Sequence, residues 1–363
     1  MASGGLKQKA RAAAKSAWMH LLYCTGALRR AKRRMAEKNA VVLFNFHRVL
    51  PAAEFARTKS PLGMVVRAET FDEICRHTAK NFPLHDLATG TPAWDGGKNK
   101  VRIAITFDDA WGDTARVAEP IASQHGVPFA VFACSAKMGE QFPFWPERVT
   151  ALYEAAQESG EREKFLGLFA RELGSPAPWL GNGNHLAAIE GTIAYLKSLP
   201  GEKCDRLVAT MTNLFGANPK VREAAATDST MTWDDAAQMQ KKGVTFGSHT
   251  HTHQILPKIP AAEAKTELAT SKQEIEKRLQ KPCALFAYPN GDCSPEVREL
   301  VAQSGYELAF LNSAGAWTRE CDPLQIPRMN VWEGKVTDSS GNFSRVAFDY
   351  NLFWLADRAQ RKN

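Results

Sequence analysis

Val101-Arg102-Ile103-Ala104-Ile105-Thr106-Phe107-Asp108-Asp109 is the stretch that decides the fold. It is a short, mostly apolar run rich in isoleucine that stops abruptly at two carboxylates. A run of this length without helical spacing predicts a strand buried on both faces, the habit of parallel sheets. Working outward, helical character covers Asp113–His125 despite Pro120, Gly126 ends it, and Pro128–Cys134 reads as the next strand. Upstream, Val41–Phe46 is a continuous apolar run ending in His47-Arg48, and Thr70 and Glu73 stand at capping-box spacing for a helix. Strand, helix, strand in this rhythm predicts an α/β fold with parallel strands and crossover helices.

The rhythm breaks between about residues 146 and 228. That stretch is polar and Ala-rich with helix-period segments at Pro146–Glu158, Arg162–Leu173, His185–Leu199 and Lys203–Phe215, so a helical insertion is expected there. Beyond it the alternation resumes. Trp233–Lys242 is helical, Val244–Gly247 is a strand, Ala261–Gln280 a helix, Ala284–Tyr288 a strand and Pro295–Gln303 a helix. Glu307–Leu311 and Leu324–Pro327 follow as short strands, and Asn342–Ala359 closes the chain as an amphipathic helix.

Composition narrows the function. With 363 residues, 44% hydrophobic and 23% charged, the chain is ordinary globular material with ample core, which excludes fibrous and disordered classes. The net charge of +7 suggests a polyanionic partner until it is mapped. Residues 1–40 hold ten Lys and Arg against Glu37 alone, a charge of +9, which leaves −2 for everything that follows. Nucleic-acid binding needs basic residues gathered on the binding face, so the body is not a nucleic-acid binder. The arm itself reads as either an amphipathic helix on an anionic membrane surface or a solvated, disordered segment. Its apolar patch, Ala17–Leu28, is short and is followed by the basic run Arg29–Arg34 rather than by a cleavage site, so it does not read as a secretory signal. No run of 18 apolar residues exists. Seven cysteines without CxxC spacing read as reduced thiols, with no cysteine zinc site indicated. A cytoplasmic protein, in peripheral contact with the inner membrane at most, is the expectation.

Reactive side chains gather where strands end, and in parallel α/β folds that is where sites form. Asp108-Asp109 offers two adjacent carboxylates that can divide labour, one on a metal and one taking a proton, or else a plain helix N-terminal acid pair. His249-x-x-x-His253 places two imidazoles within reach of one ion, and neutral imidazole with carboxylate suits zinc or a related divalent metal. His251, between them, points away. Phe286-Ala287-Tyr288-Pro289-Asn290-Gly291 is by itself ordinary turn chemistry.

In this order, Thr106-Phe107-Asp108-Asp109, His249-Thr250-x-x-His253 and Phe286 to Gly291 resemble the successive motifs of the polysaccharide deacetylases, carbohydrate esterase family four, which share the homology domain of the nodulation chitooligosaccharide deacetylases. The resemblance runs from about residue 41 to 330 and includes Asn45-Phe46-His47-Arg48-Val49, Gln124 to Pro128 and Ile326-Pro327-Arg328. It implies a distorted (β/α)7-type barrel carrying a helical insertion, preceded by the basic N-terminal arm. It also implies a metal triad of Asp109, His249 and His253, with zinc as the expected ion, and Asp108 as the catalytic base. The backbone N–H of Asn290 would help hold the oxyanion. The implied activity is removal of N-acetyl groups from a GlcNAc-type glycan. Three departures are visible: Ala287 stands where the family often has an arginine that tethers the base, Asn290 where it often has an aromatic residue, and no histidine follows His253. Arg328 is the candidate replacement cation and His47 the candidate general acid. A catalytically silent glycan- or metal-binding relative is the alternative, as is a hydrolase of another amide such as a formamido sugar or cyclic ureide.

Overall fold

The computed structural model of the chain describes residues 14–94, 99–142, 144–175, 177–180 and 185–361. They form two compact units: Met1–Phe55 with Leu62–Met138 and Met231–Asn363, and Ala56–Pro61 with Gly139–Thr230.

The first unit is built on strands β1 (Val41–Phe46), β4 (Arg102–Asp108), β5 (Phe129–Ala133), β6 (Thr245–Ser248), β7 (Leu285–Ala287), β8 (Leu308–Phe310) and β9 (Met329–Asn330), with β2 (Arg48–Leu50) and β3 (Val65–Arg67) as a small separate pair. The seven-stranded sheet has the order β8-β7-β6-β5-β4-β1-β9, and all its ladders are parallel. This is the parallel α/β architecture the strand rhythm predicts, curled in the manner of the (β/α)7-type barrel that the resemblance implies. The helices Ala68–Asn81, Trp233–Lys241, Ala261–Leu279 and Pro295–Gln303 supply the crossovers.

Side chains alternate along each strand. On β4, Ile103, Ile105 and Phe107 join the large core under the helices, whereas Ala104 belongs to a second apolar cluster with Val41, Leu43, Ala130, Phe132, Leu285, Ala287, Leu308 and Phe310. That second cluster is the inner face of the curled sheet. Gly247 is the inner residue of β6, where a Cβ would lie 2.7 Å from the Phe132 ring. The inner rows then change character toward the carboxyl ends: Leu43 is followed by Asn45, and Ala104 by Thr106 and Asp108, all buried. Asn45 is in register with Thr106.

The last turn of the sheet differs from expectation. The strand expected over Leu324–Pro327 is reduced to a single bridge, Ile326 with Phe310, and the ladder forms later, Met329 against Phe44 and Asn330 against Asn45. Pro323 and Pro327 lack the amide donors a ladder needs. Residues 326–330 therefore touch both edges of the open sheet and act as its seam. The helix after Asp109 also deviates: Thr114–Ala118 is a π-helical turn that leads into Glu119–Gln124, where Pro120 removes a donor.

Of the basic arm, residues 1–13 lie outside the described residues; 14–24 and Ala27–Glu37 are helical. In the second helix Leu28, Ala31 and Met35 are buried, Arg34 pairs with Asp357, and Lys32 lies 3.0 Å from Asp349. Ala27–Glu37 is therefore part of the packed body.

The second unit is helical: Trp145–Glu158, Arg162–Leu173, His185–Ser198, Gly201–Phe215 and Pro219–Thr227 surround Leu152, Phe165, Phe169 and Met211. Lys59 pairs with Glu154 across it. Among the described residues no helix is long and apolar enough to cross a membrane.

Candidate active site

Asp108 ends the inner row of β4 and is 3% exposed. Burial alone would push its carboxyl up. The guanidinium of Arg328 outweighs that, with help from the nearby His249 and His47, and holds the group well below the usual carboxylate range. The pairing is bidentate: Arg328 Nη1 donates to Oδ1 at 2.7 Å and Nη2 to Oδ2 at 2.9 Å. Asn45 Nδ2 donates to the same Oδ2 at 2.8 Å, while its own oxygen accepts from Arg328 Nη1 at 3.0 Å. Arg328 is fully buried in the seam, its Nε donates to the Leu311 carbonyl at 3.0 Å, and its guanidinium lies over the Phe132 ring at 5.1 Å. Asp108 is thus an ionised, aimed carboxylate with lone-pair capacity left for one further donor.

Asp109 points elsewhere. Its Oδ2 accepts from Trp111 Nε1 at 3.2 Å, and its Oδ1, buried, has no hydrogen-bond partner among the described residues. That oxygen lies 3.6 Å from His249 Nε2 and 3.5 Å from His253 Nε2. These separations are too long for hydrogen bonds. They are close to the ~3.3–3.6 Å expected between N and O donors bound about 2.0–2.2 Å from one tetrahedral ion. His249 Nδ1 donates to the Ala287 carbonyl at 2.8 Å, which fixes the ring and turns Nε2 inward. Burial lowers the pKa of this imidazole to about 4, so it is a neutral donor at ordinary pH. Desolvation pushes Asp109 up, as expected of a buried carboxyl lacking a cation. The donor set and the orphaned oxygen fit a divalent metal.

The turn that carries the histidines is staked from outside. Glu267, on Ala261–Leu279, accepts from the amides of His251 and Thr252 at 2.9 and 2.8 Å and from the Thr252 hydroxyl at 2.7 Å. His251 faces Ser135 Oγ at 2.8 Å, away from Asp109. Backbone strain collects at the same rim: Asp109 (φ 72°), Ala110 (54°), Thr250 (66°), His253 (70°) and Asn290 (60°) all adopt left-handed conformations. Asn290 lies in the short helical turn Pro289–Gly291 after β7, its side chain donating to Asp292 at 2.9 Å. His47, two residues beyond Asn45, lies close enough to both aspartates to favour their charge, and its buried Nδ1 has no hydrogen-bond partner among the described residues.

The structure therefore gathers Asp108, Asp109, His249, His253, Arg328 and His47 at one mouth, and Asn290 stands in the turn after β7. Sequence reasoning missed Asn45, Trp111 and Cys134. Trp111 is buried, and the Arg48 guanidinium, paired with Asp113 at 2.9 Å, stacks over it at 4.3 Å. Cys134 is the larger surprise, since the cysteine spacing, without CxxC, indicates no cysteine zinc site. Its sulfur and donor atoms of Asp109 and His253 all lie within 4.8 Å of one another. Counting by two along β5, from Ala130 through Phe132, would have found it.

A family model described as polysaccharide deacetylase matches residues 207–309, which take in His249, His253 and Asn290. The "Putative polysaccharide deacetylase YxkH" of Bacillus subtilis (strain 168) is 22% identical over 113 residues, 31% of this chain; the match spans 40% of that relative's length. Among solved structures, the Streptococcus pyogenes deacetylase PplD in complex with acetate has a TM-score of 0.50 at 14% identity, covering 82% of this chain and 94% of that one. The "putative polysaccharide deacetylase BA0330" of Bacillus anthracis has a TM-score of 0.52 at 14% identity, covering 86% and 69%. The chain resembles the polysaccharide deacetylases in sequence and in fold.

Proposed function

We propose that the protein is a metal-dependent hydrolase that removes N-acetyl groups from a GlcNAc-type oligo- or polysaccharide. The observation that carries this is the division of labour between adjacent carboxylates: Asp109 offers an unpartnered oxygen to two imidazoles, and Asp108 is held ionised beside it. Asp109, His249 and His253 would hold the ion, zinc or a similar divalent metal. Such an ion supplies Lewis-acid polarisation of the amide carbonyl and acidifies water. Asp108 accepts the proton of the attacking water, with Arg328 and Asn45 fixing its orientation. The backbone N–H of Asn290 would donate to the developing oxyanion. His47 donates a proton to the leaving amine. The test is acetate release from chitooligosaccharides and polymeric N-acetylated glycans, with and without chelation. Release that stops on chelation and returns with added metal supports the assignment. Metal and glycan binding without turnover on any substrate identifies a silent relative instead, and release that survives chelation removes the metal from the mechanism.

A second surface sets the address of the protein. In the 14–24 helix, Ala14, Ala17, Trp18, Leu21 and Cys24 are all exposed at i, i+3, i+4, i+7 and i+10, and Leu22, beside the stripe, is buried. Trp18 and Leu21 are 48% and 52% exposed. Arg29, Arg30 and Arg33 are exposed close behind. An apolar stripe with basic flanks suits the headgroup layer of an anionic bilayer, where each Lys or Arg adds about 1 kcal/mol. Trp18→Glu with Leu21→Glu is expected to abolish co-sedimentation with vesicles containing phosphatidylserine, and to leave acetate release from a soluble oligosaccharide unchanged. Undiminished sedimentation overturns the assignment. Deleting residues 1–40 is the poorer experiment, because it also strips Leu28, Ala31 and Met35 from the core.

A further inference from the structure

The inner row of β5 runs Ala130, Phe132 and, one step past the strand end, Cys134. This places a thiol on the same face of the sheet as Asp108 of the neighbouring β4. Cys134 is fully buried, and its S–H donates to the carbonyl of His249 at 3.3 Å, so the sulfur sits against the residue that bears one of the two imidazoles. Its sulfur, an oxygen of Asp109 and a nitrogen of His253 lie within 4.8 Å of one another. Independently, Asp109, only 4% exposed, directs an oxygen without a hydrogen-bond partner among the described residues into this same cluster. A buried thiol beside a carboxylate and an imidazole is a donor set that uses sulfur.

We propose that Cys134 is a protein ligand of this centre beside Asp109 and His253, giving a borderline-soft divalent ion a sulfur donor. The proposal rests on the assignment of Asp109, His249 and His253 as metal ligands and extends it. To ligate an ion, Cys134 would lose its S–H proton to solvent and give up its hydrogen bond to the His249 carbonyl. No electrons are exchanged. Sulfur in the shell shifts preference toward zinc, cobalt and cadmium and away from magnesium and calcium, which favour oxygen.

The experiment is cobalt(II) substitution of the chelator-treated full-length protein, followed by absorption spectroscopy. Bound cobalt gives visible d–d bands whatever its ligands; a sulfur ligand adds an intense near-ultraviolet charge-transfer band. The wild type is expected to show both. Cys134→Ser and Cys134→Ala are expected to keep the d–d bands, lose the charge-transfer band, and bind cobalt at least ~10–100-fold more weakly, the loss typical even for an outer-shell partner. Because the wild-type spectrum is itself diagnostic, the test does not depend on either variant folding. Wild-type d–d bands without charge transfer, or a charge-transfer band that persists in Cys134→Ser, overturn the role of Cys134 while leaving the metal site standing. Absence of all cobalt bands overturns both.

Discussion

Asp108→Asn is expected to lower acetate release by ~10²–10⁴-fold, the range a positioned general base contributes, with metal content unchanged. The carboxylate is a base by position: Arg328 and Asn45 occupy three of its lone-pair directions and leave room for one incoming donor. Asparagine keeps the shape and one acceptor but cannot take a proton. Asp109 keeps its contacts with Trp111 and the two histidines, so cobalt or zinc uptake should not move. Metal analysis of the purified variant beside its acetate assay separates a lost base from a lost metal. Equal loss of both would place Asp108 in the metal shell instead.

Arg328→Met carries the largest stability effect. It leaves Asp108 charged and buried without its counter-ion, a change that typically costs about 3–5 kcal/mol. The sign with pH follows from the carboxylate. In the wild type Asp108 is held below its unfolded-chain pKa of about 3.9, so the stabilisation is full above that value and fades as pH falls through the lower folded one. Without Arg328 burial dominates and the folded pKa rises, so the variant's deficit grows as pH rises past about 4. Denaturant unfolding at mildly acidic and neutral pH should show a small difference at the first and a large one at the second. Arg328→Met combined with Asp108→Asn should recover much of the loss, because the buried charge leaves with its partner. A deficit that is flat with pH would mean that Arg328 acts through packing alone.

Much of this was legible in the chain. Apolar runs stopping at Asp108, His249 and Asn290 gave the strand ends, and the strand–helix rhythm gave a parallel sheet. Arg328 could be nominated because a cation was missing at Ala287. Position in sequence could not say that it sits in the seam, since two prolines displaced the last ladder from Leu324–Pro327 to Met329–Asn330. What escaped were residues whose meaning depends on which face they occupy. Asn45 and Thr106 belong to quoted motifs but carry no role there, and Cys134 looks like an incidental interruption in an apolar run. Only the parity of the inner rows, fixed by register between strands far apart in the chain, turns all three toward one face of the sheet. Trp111 was hidden for another reason: its partner is the neighbouring Asp109 carboxylate, and a tight left-handed turn is needed to bring the indole back to it.

The seam also ties closure of the sheet to the charge state of the base. The bond between Arg328 and Asn45 bridges 283 positions of chain. A contact between residues so far apart costs more loop-closure entropy than a local one, although that cost grows only with the logarithm of the separation. Through Arg328 the same closure holds both oxygens of Asp108. Loosening the seam therefore opens the sheet and releases the base in one step.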